Sequence, residues 1–269
     1  MELFLDLLRS IVYGVIEGIT EWLPISSTGH MILAEQVLKF SLSAEFMEMF
    51  RVVIQLGAIM AVVVLYFKKL WPFCGDNGRD SGLAKHIRWP VLRLWLKIIV
   101  ACLPAAVLGL LLDDWMDAHF YNSVVVAVML IVYGIAFILI ERRPRVPTTT
   151  KLSRITYKQA IIVGAWQVLA LIPGTSRSGA TIIGGLLCGM SRACASQFTF
   201  FLAIPVMAGA SGLKLVKFLV GGGVFTVAEV GALLVGCIVA FVVSIMAIRF
   251  LMDYVKKHTF TIFGWYRIA

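Results

Sequence analysis

Two polar runs interrupt the apolar background of this chain, and both carry side chains that could do chemistry. The run Pro173-Gly174-Thr175-Ser176-Arg177-Ser178-Gly179-Ala180-Thr181 sets one guanidinium among hydroxyls and glycines, between segments made mostly of aliphatic residues. The planar fork of Arg177 suits a phosphate better than the point charge of a lysine would. Thr175, Ser176 and Ser178 add hydroxyls beside it, and Gly174 and Gly179 are expected to let the backbone approach a ligand closely. A short helix beginning near Ala180 would present free N–H groups and the positive end of its dipole to an anion. Together these features describe a pocket for a phosphorylated headgroup. The competing account makes Arg177 a structural residue that holds carbonyls within the turn.

The other run, Glu17-Gly18-Ile19-Thr20-Glu21-Trp22-Leu23-Pro24-Ile25-Ser26-Ser27-Thr28-Gly29-His30, supplies what the first lacks. Glu17 and Glu21 lie four apart and so project from one face of a helix. Like charges at that spacing repel, and carboxylates inside an apolar segment are costly enough that function is the default reading over a solvated helix end. A divalent cation, Mg²⁺ or Ca²⁺, would relieve the repulsion, with a phosphate oxygen and waters completing its shell. Two attackers on a phosphoryl group are available: Ser27 activated by His30, or a water activated by His30. Ser27 is favoured because it precedes His30 by three residues, so one helical turn could join them. Ser26 and Thr28 complete the expected substrate-binding hydroxyls. His86, His119 and His258 fall in loops or at span ends and carry no assigned role.

These residues must be held by membrane. The chain is 60% hydrophobic and 14% charged, with a mean hydropathy of +0.93, which excludes an ordinary soluble domain. Its length allows roughly six to eight segments of about 20 residues each and one membrane domain. The net charge of +9 resides in short loops between apolar runs, where topology explains it better than nucleic-acid binding does. The five cysteines form no CxxC pair and read as packing residues. No basic leader or small-residue cleavage site precedes Glu17, so a cleaved signal peptide is not expected.

The expected fold is an all-α polytopic membrane protein with about six transmembrane helices and two re-entrant helical hairpins. The first hairpin covers about 3–40, broken at Pro24, and its return arm of about ten residues reaches only half of a ~30 Å hydrocarbon core. An acidic loop with Glu45 and Glu48 follows, then spans at about 50–67, 98–112 and 122–140. The loop from Lys68 to Lys97 is basic, with Arg79 and Lys85 among its charges, and is expected in the cytoplasm; the acidic stretch 113–117 is expected outside. A basic cytoplasmic linker at 141–158, with Pro144, Arg145 and Pro147, divides a first repeat at 1–140 from a second at 159–269 within the single domain 1–269. The second repeat holds a hairpin at about 160–190, spans at about 197–219 and 228–250, and a last segment too short to cross, read as a truncated helix. Gly14, Glu17 and Gly29 match Gly164, Gln167 and Gly179 at a shift of 150, which points to an inverted-topology repeat whose site lies where the broken helices face each other. Charge bias does not distinguish this layout from eight full spans; the short return arms favour it.

The motifs EGITEWLPISSTGHM and LIPGTSRSGAT, with VVIQLGAIMAVVV between them, resemble the bacterial undecaprenyl-diphosphate phosphatases of the bacitracin-resistance type, from about residue 10 to the C-terminus. The resemblance implies an integral inner-membrane enzyme, with its site toward the periplasm, that removes the terminal phosphate of undecaprenyl diphosphate with the help of a divalent cation. Such an enzyme recycles the carrier lipid of cell-wall synthesis. The family's functional positions fall on Glu17, Glu21, Ser27 and His30 and on Ser176 and Arg177. The phosphatidic-acid phosphatase type is excluded, because its arginine is followed six residues on by a histidine and this chain has Ile183 there. A polyprenyl-phosphate transporter or flippase is the alternative from another class, since inverted hairpins are transporter parts. An intramembrane serine protease would leave Arg177 and the paired glutamates without a role. A homodimer stays open.

Overall fold

The computed structural model describes residues 2–75, 86–120, 122–143 and 146–269. Arg79 and Lys85 of the basic loop, Pro144 and Arg145 of the linker, and the side chains of Asp113, Asp114 and Asp117 lie outside the described residues. The described chain is built from helices: α1 Glu2–Thr20, α2 Ser27–Val37, α3 Ala44–Val53, α4 Gln55–Leu65, α5 Phe67–Leu70, α6 Trp89–Phe120, α7 Ser123–Glu141, α8 Tyr157–Val168, α9 Arg177–Leu187, α10 Arg192–Val220, α11 Val227–Lys257 and α12 Thr261–Ile268. Five stretches are long and apolar enough to cross a bilayer: Ala44–Leu65, Trp89–Leu112, Ser123–Glu141, Arg192–Val220 and Val227–Lys257. The protein is an integral membrane protein, and leucines and valines such as Leu110, Leu111, Val124 and Leu139 stand exposed on its flanks, as lipid-facing residues must.

Three boundaries differ from the sequence reading. The stretch 113–117 continues α6, which runs unbroken for 32 residues through Pro104, so the expected external loop is the last part of a helix. The same helix begins at Trp89, taking in Arg93 and Lys97; the Lys97 ammonium lies over the Tyr157 ring at 5.9 Å. Glu45 and Glu48 likewise stand on α3, whose N-cap Ser43 accepts a hydrogen bond from Phe46 N at 3.2 Å, and not in a loop. At the starts of α3 and α6 a good capping residue and a tertiary contact, respectively, carry the helix past the point where charge suggested a stop.

The two broken segments are built alike. After α1 the chain turns through 21–25 into α2, and after α8 a 3₁₀ turn at Leu169–Leu171 and the stretch 172–176 lead into α9. Both return helices are 11 residues long, about 16 Å, and begin 150 residues apart. Their N-caps, Ser26 and Ser176, are the two non-glycine residues with positive φ among those described, at 73° and 69°. Left-handed backbone costs a serine about 1 kcal/mol or more. In each case the hydroxyl recovers part of it by accepting from the amide three residues on, Gly29 N at 3.4 Å and Gly179 N at 3.2 Å.

Close helix approach fixes where these turns sit. Gly14 and Gly18 bring α1 against α11, where a Cβ would stand 2.8 Å from Gly236 O and 2.9 Å from Ala240 O. Gly164 does the same for α8 against α6, 2.3 Å from Ala101 O. Small residues at such crossings let backbones meet in a lipid environment, where packing rather than water exclusion drives association. One end of the bundle is tied by Ser43 Oγ to Glu229 at 3.0 Å and Lys214 to Glu48 at 2.6 Å, the other by Arg192 to Glu141 at 2.5 Å.

Candidate active site

Glu21 occupies the turn after α1, its amide still held by Glu17 O at 3.1 Å, and its side chain is buried. A carboxylate withdrawn from water needs donors, and Glu21 receives one from each polar run. Ser27 Oγ donates to Oε2 at 2.6 Å, and Arg177 Nη2 donates to Oε1 at 2.8 Å. Ser27 and Arg177 are the first residues of α2 and α9, so the two return helices meet tip to tip across one carboxylate. Arg177 also donates from Nη1 to Thr199 O on α10 at 3.1 Å, which keeps part of the structural role weighed above, while its Nε is buried without a partner. Ser178 links the turns as well, 3.5 Å from Leu23 O and 3.2 Å from Ser176 Oγ.

The expected pairing of Ser27 with His30 is not the one formed. His30 Nδ1 lies 2.7 Å from Ser26 O, and Nε2 lies 2.8 Å from the Tyr266 hydroxyl on α12. The helix starts at Ser27, so the histidine ring folds back on the free carbonyl of the N-cap while the serine hydroxyl reaches the other way, into the turn, to Glu21. The glycines of the second run also differ from expectation. Gly174, at φ 88°, turns toward α7, where a Cβ would stand 2.6 Å from Val126 O, and a Cβ on Gly179 would stand 3.2 Å from Arg267 Nη1. Both make room for neighbouring protein. Gly179 N and Ala180 N are satisfied by Ser176, which leaves the first amides of α9, those of Arg177 and Ser178, to face an anion. Ser26 and Ser176 act as caps, Thr175 is fully buried with Oγ1 unpartnered, and Thr28 sits half-buried on the first turn of α2.

A family model described as "Bacitracin resistance protein BacA" matches residues 10–269. The chain belongs to that family. It is 61% identical over 268 residues to the undecaprenyl-diphosphatase of Enterococcus faecalis (strain ATCC 700802 / V583), covering 99% of this chain and 95% of the relative. It is 57% identical to the undecaprenyl-diphosphatases of Lactococcus lactis subsp. lactis (strain IL1403) and of Desulfitobacterium hafniense (strain DSM 10664 / DCB-2), covering 98% of this chain in both cases and 94% and 92% of the relatives.

In this BacA-family chain, Glu17 is the side chain whose chemistry a cation would suit. It is 1% exposed, and its Oε1 has no hydrogen-bond partner. A buried carboxylate oxygen left unpaired is costly, and a hard divalent ion is one group that would satisfy it. The protein offers a sparse shell: no cluster of three or more His, Cys, Asp or Glu side chains occurs among the described residues. Glu17 with Glu21 therefore fits a cation that also takes oxygens from a phosphorylated ligand and water, and not a cation caged by protein alone.

Two residues of the site were not anticipated from sequence. Tyr266 stacks on His30 with ring centroids 5.7 Å apart and planes 6° from parallel. Its neighbour Arg267, 4% exposed, donates to Pro24 O at 3.2 Å in the first turn and to Gly174 O at 2.8 Å and Thr175 O at 3.0 Å in the second. Arg267 also reaches Leu130 O at 3.3 Å and Met129 O at 3.4 Å on α7. The signal that could have found it was an arginine in the last apolar segment, the same intramembrane expense that singled out Arg177.

Proposed function

We propose that this chain hydrolyses undecaprenyl diphosphate to undecaprenyl phosphate and inorganic phosphate at the outer face of the bacterial inner membrane, recycling the carrier lipid of the cell wall and conferring bacitracin resistance. The observation that carries the reading is the Ser27–Glu21–Arg177 constellation, which holds a hydroxyl, a base for its proton and a cation for a phosphate where the two turns meet. A binding site for a lipid phosphate would need the cation; the hydroxyl already donating to a carboxylate is what hydrolysis adds.

In this mechanism Glu21 Oε2 accepts the proton of Ser27 as Oγ attacks the terminal phosphorus. The bond from phosphorus to the bridging oxygen breaks, and undecaprenyl phosphate leaves with the electron pair. Arg177, released in part from Glu21 as that carboxylate becomes protonated, turns its free N–H groups to the phosphoryl oxygens, where positioned positive charge does most of the work of phosphoryl transfer. Water then attacks the phosphoserine, giving a proton to His30 Nε2, while the bond from phosphorus to Ser27 Oγ breaks and Oγ recovers the proton from Glu21; His30 returns its proton to solvent as inorganic phosphate departs. Glu17 would hold the divalent cation, Mg²⁺ or Ca²⁺, joined by Glu21 only while that carboxylate is ionised, and the chemistry the ion would supply when bound is to neutralise the diphosphate and orient its oxygens.

Phosphate release from undecaprenyl diphosphate by purified protein in detergent tests the activity, and Ser27→Ala tests the attacker. Loss of about a thousandfold or more in kcat is expected, with a phosphorylated serine trapped at Ser27 in the wild type on rapid quench. Substantial turnover in Ser27→Ala would instead assign the attack to water with His30 as its base. Chelation should abolish release and added cation restore it; undiminished activity in chelator would remove the cation from the reaction. The two halves are further proposed to be related by inversion across the membrane, a reading supported by the matching caps of α2 and α9.

A further inference from the structure

We infer that Tyr266 on α12 is a positioning residue for His30 in the phosphatase reaction proposed above, on which the inference rests. A carbonyl oxygen can only accept, so the 2.7 Å contact between Ser26 O and His30 Nδ1 requires the proton on Nδ1. In the neutral ring Nε2 is then the lone-pair nitrogen, and the Tyr266 hydroxyl donates to it across 2.8 Å. The other tautomer would set two lone pairs against each other at Ser26, a clash that no rotation of the Tyr266 hydroxyl relieves. The phenol ring lies 6° from parallel with the imidazole, so ring plane, tautomer and lone-pair direction are all fixed by two residues.

The arrangement gives His30 one basic nitrogen, held at the accessible side of the site by a residue that is 55% exposed. A neutral phenol can yield that nitrogen to a water without stranding a charge, which an aspartate or arginine in its place could not. The hydroxyl is not needed to fasten α12, because Arg267 already ties the helix to five carbonyls of α7 and the two turns. Its effect should therefore pass through His30.

Phosphate release from undecaprenyl diphosphate by the full chain in detergent is compared for wild type, Tyr266→Phe, His30→Ala and the double variant. Phenylalanine keeps the ring and removes the donor. The expected result is a kcat lower by about tenfold, the worth of one neutral hydrogen bond, with KM and melting temperature unchanged. In the His30→Ala background the same change should cost nothing further, the non-additivity of residues that act as one unit. Unaltered kcat, an additive loss, or a loss confined to KM would overturn the inference. A second measurement needs no turnover: in protein labelled with ¹⁵N-histidine, the His30 signal, assigned by its loss in His30→Ala, should show the Nδ1–H tautomer, with an Nε2 resonance that moves in Tyr266→Phe. An Nε2–H tautomer would overturn the inference even where the wild type turns over, whereas an inactive wild type with the expected tautomer would count against the phosphatase reading alone.

Discussion

A carboxylate placed in an apolar turn is stable only while its oxygens are paired, and Glu21 is paired by two groups that a phosphate substrate can compete for. Ser27 and Arg177 each stand at the first position of a helix, so both side chains reach forward into the same gap. Arg177→Lys keeps the charge, but an ammonium cannot serve Glu21 Oε1 and Thr199 O in the same plane and still offer an edge to a phosphate. We expect kcat to fall by about 10²–10³-fold, comparable to removing one preorganised donor at a developing anion, with a smaller change in KM. Kinetics of phosphate release check this, and a lysine variant within tenfold of wild type would mean that charge alone suffices. The types of these residues were legible in the sequence, and their partners were not. Spacing by three suggested Ser27 with His30, whereas the start of α2 at Ser27 turns the histidine back to Ser26 and frees the serine for Glu21, six residues away around a turn.

Helices read from hydropathy locate the spans, and what they miss is how ends are fastened. Two short return helices were anticipated from prolines and short apolar runs, and both are 11 residues long. Nothing local in the eight-residue α12 announces that Arg267 reaches Pro24 and Gly174, 243 and 93 positions away. Buried without a carboxylate, its guanidinium lies over the Tyr133 ring at 5.4 Å and distributes its N–H groups over carbonyls that would otherwise face a dry interior. Arg267→Met keeps much of the volume and strands those carbonyls. At about 1–3 kcal/mol for each one left unsatisfied, and allowing for partial relaxation, we expect the melting temperature in detergent to fall by roughly 5–10 °C and phosphate release to be lost. A variant with wild-type stability and rate would show that the turns hold their shape unaided.

At the scale of the whole molecule, the polar ties sort by end. Ser43, Glu48, Lys214 and Glu229 meet at one end, while Glu141, Arg192 and the amide of Phe260 meet at the other. The linker that follows Glu141 and the end of α11 at Lys256 and Lys257 share the second end, and their lysines and arginines are the class that stays in the cytoplasm. We propose on this basis that the first end faces outward; α2 returns toward it through Val37 and the Ser41–Asp6 hydrogen bonds, so the mouth of the first hairpin would open on that side. Val224, in the turn between α10 and α11, and Val146, in the linker, are 80% and 90% exposed and mark the two ends without disturbing either tie. In a background cleared of the five native cysteines, Val224→Cys should react with an impermeant maleimide in intact cells, and Val146→Cys only after the membrane is opened. Reaction of both from outside would refute the orientation. Reaction of Val146→Cys alone would reverse it, turning the Glu21 turn and its return helix toward the cytoplasm and requiring diphosphate from the inner leaflet.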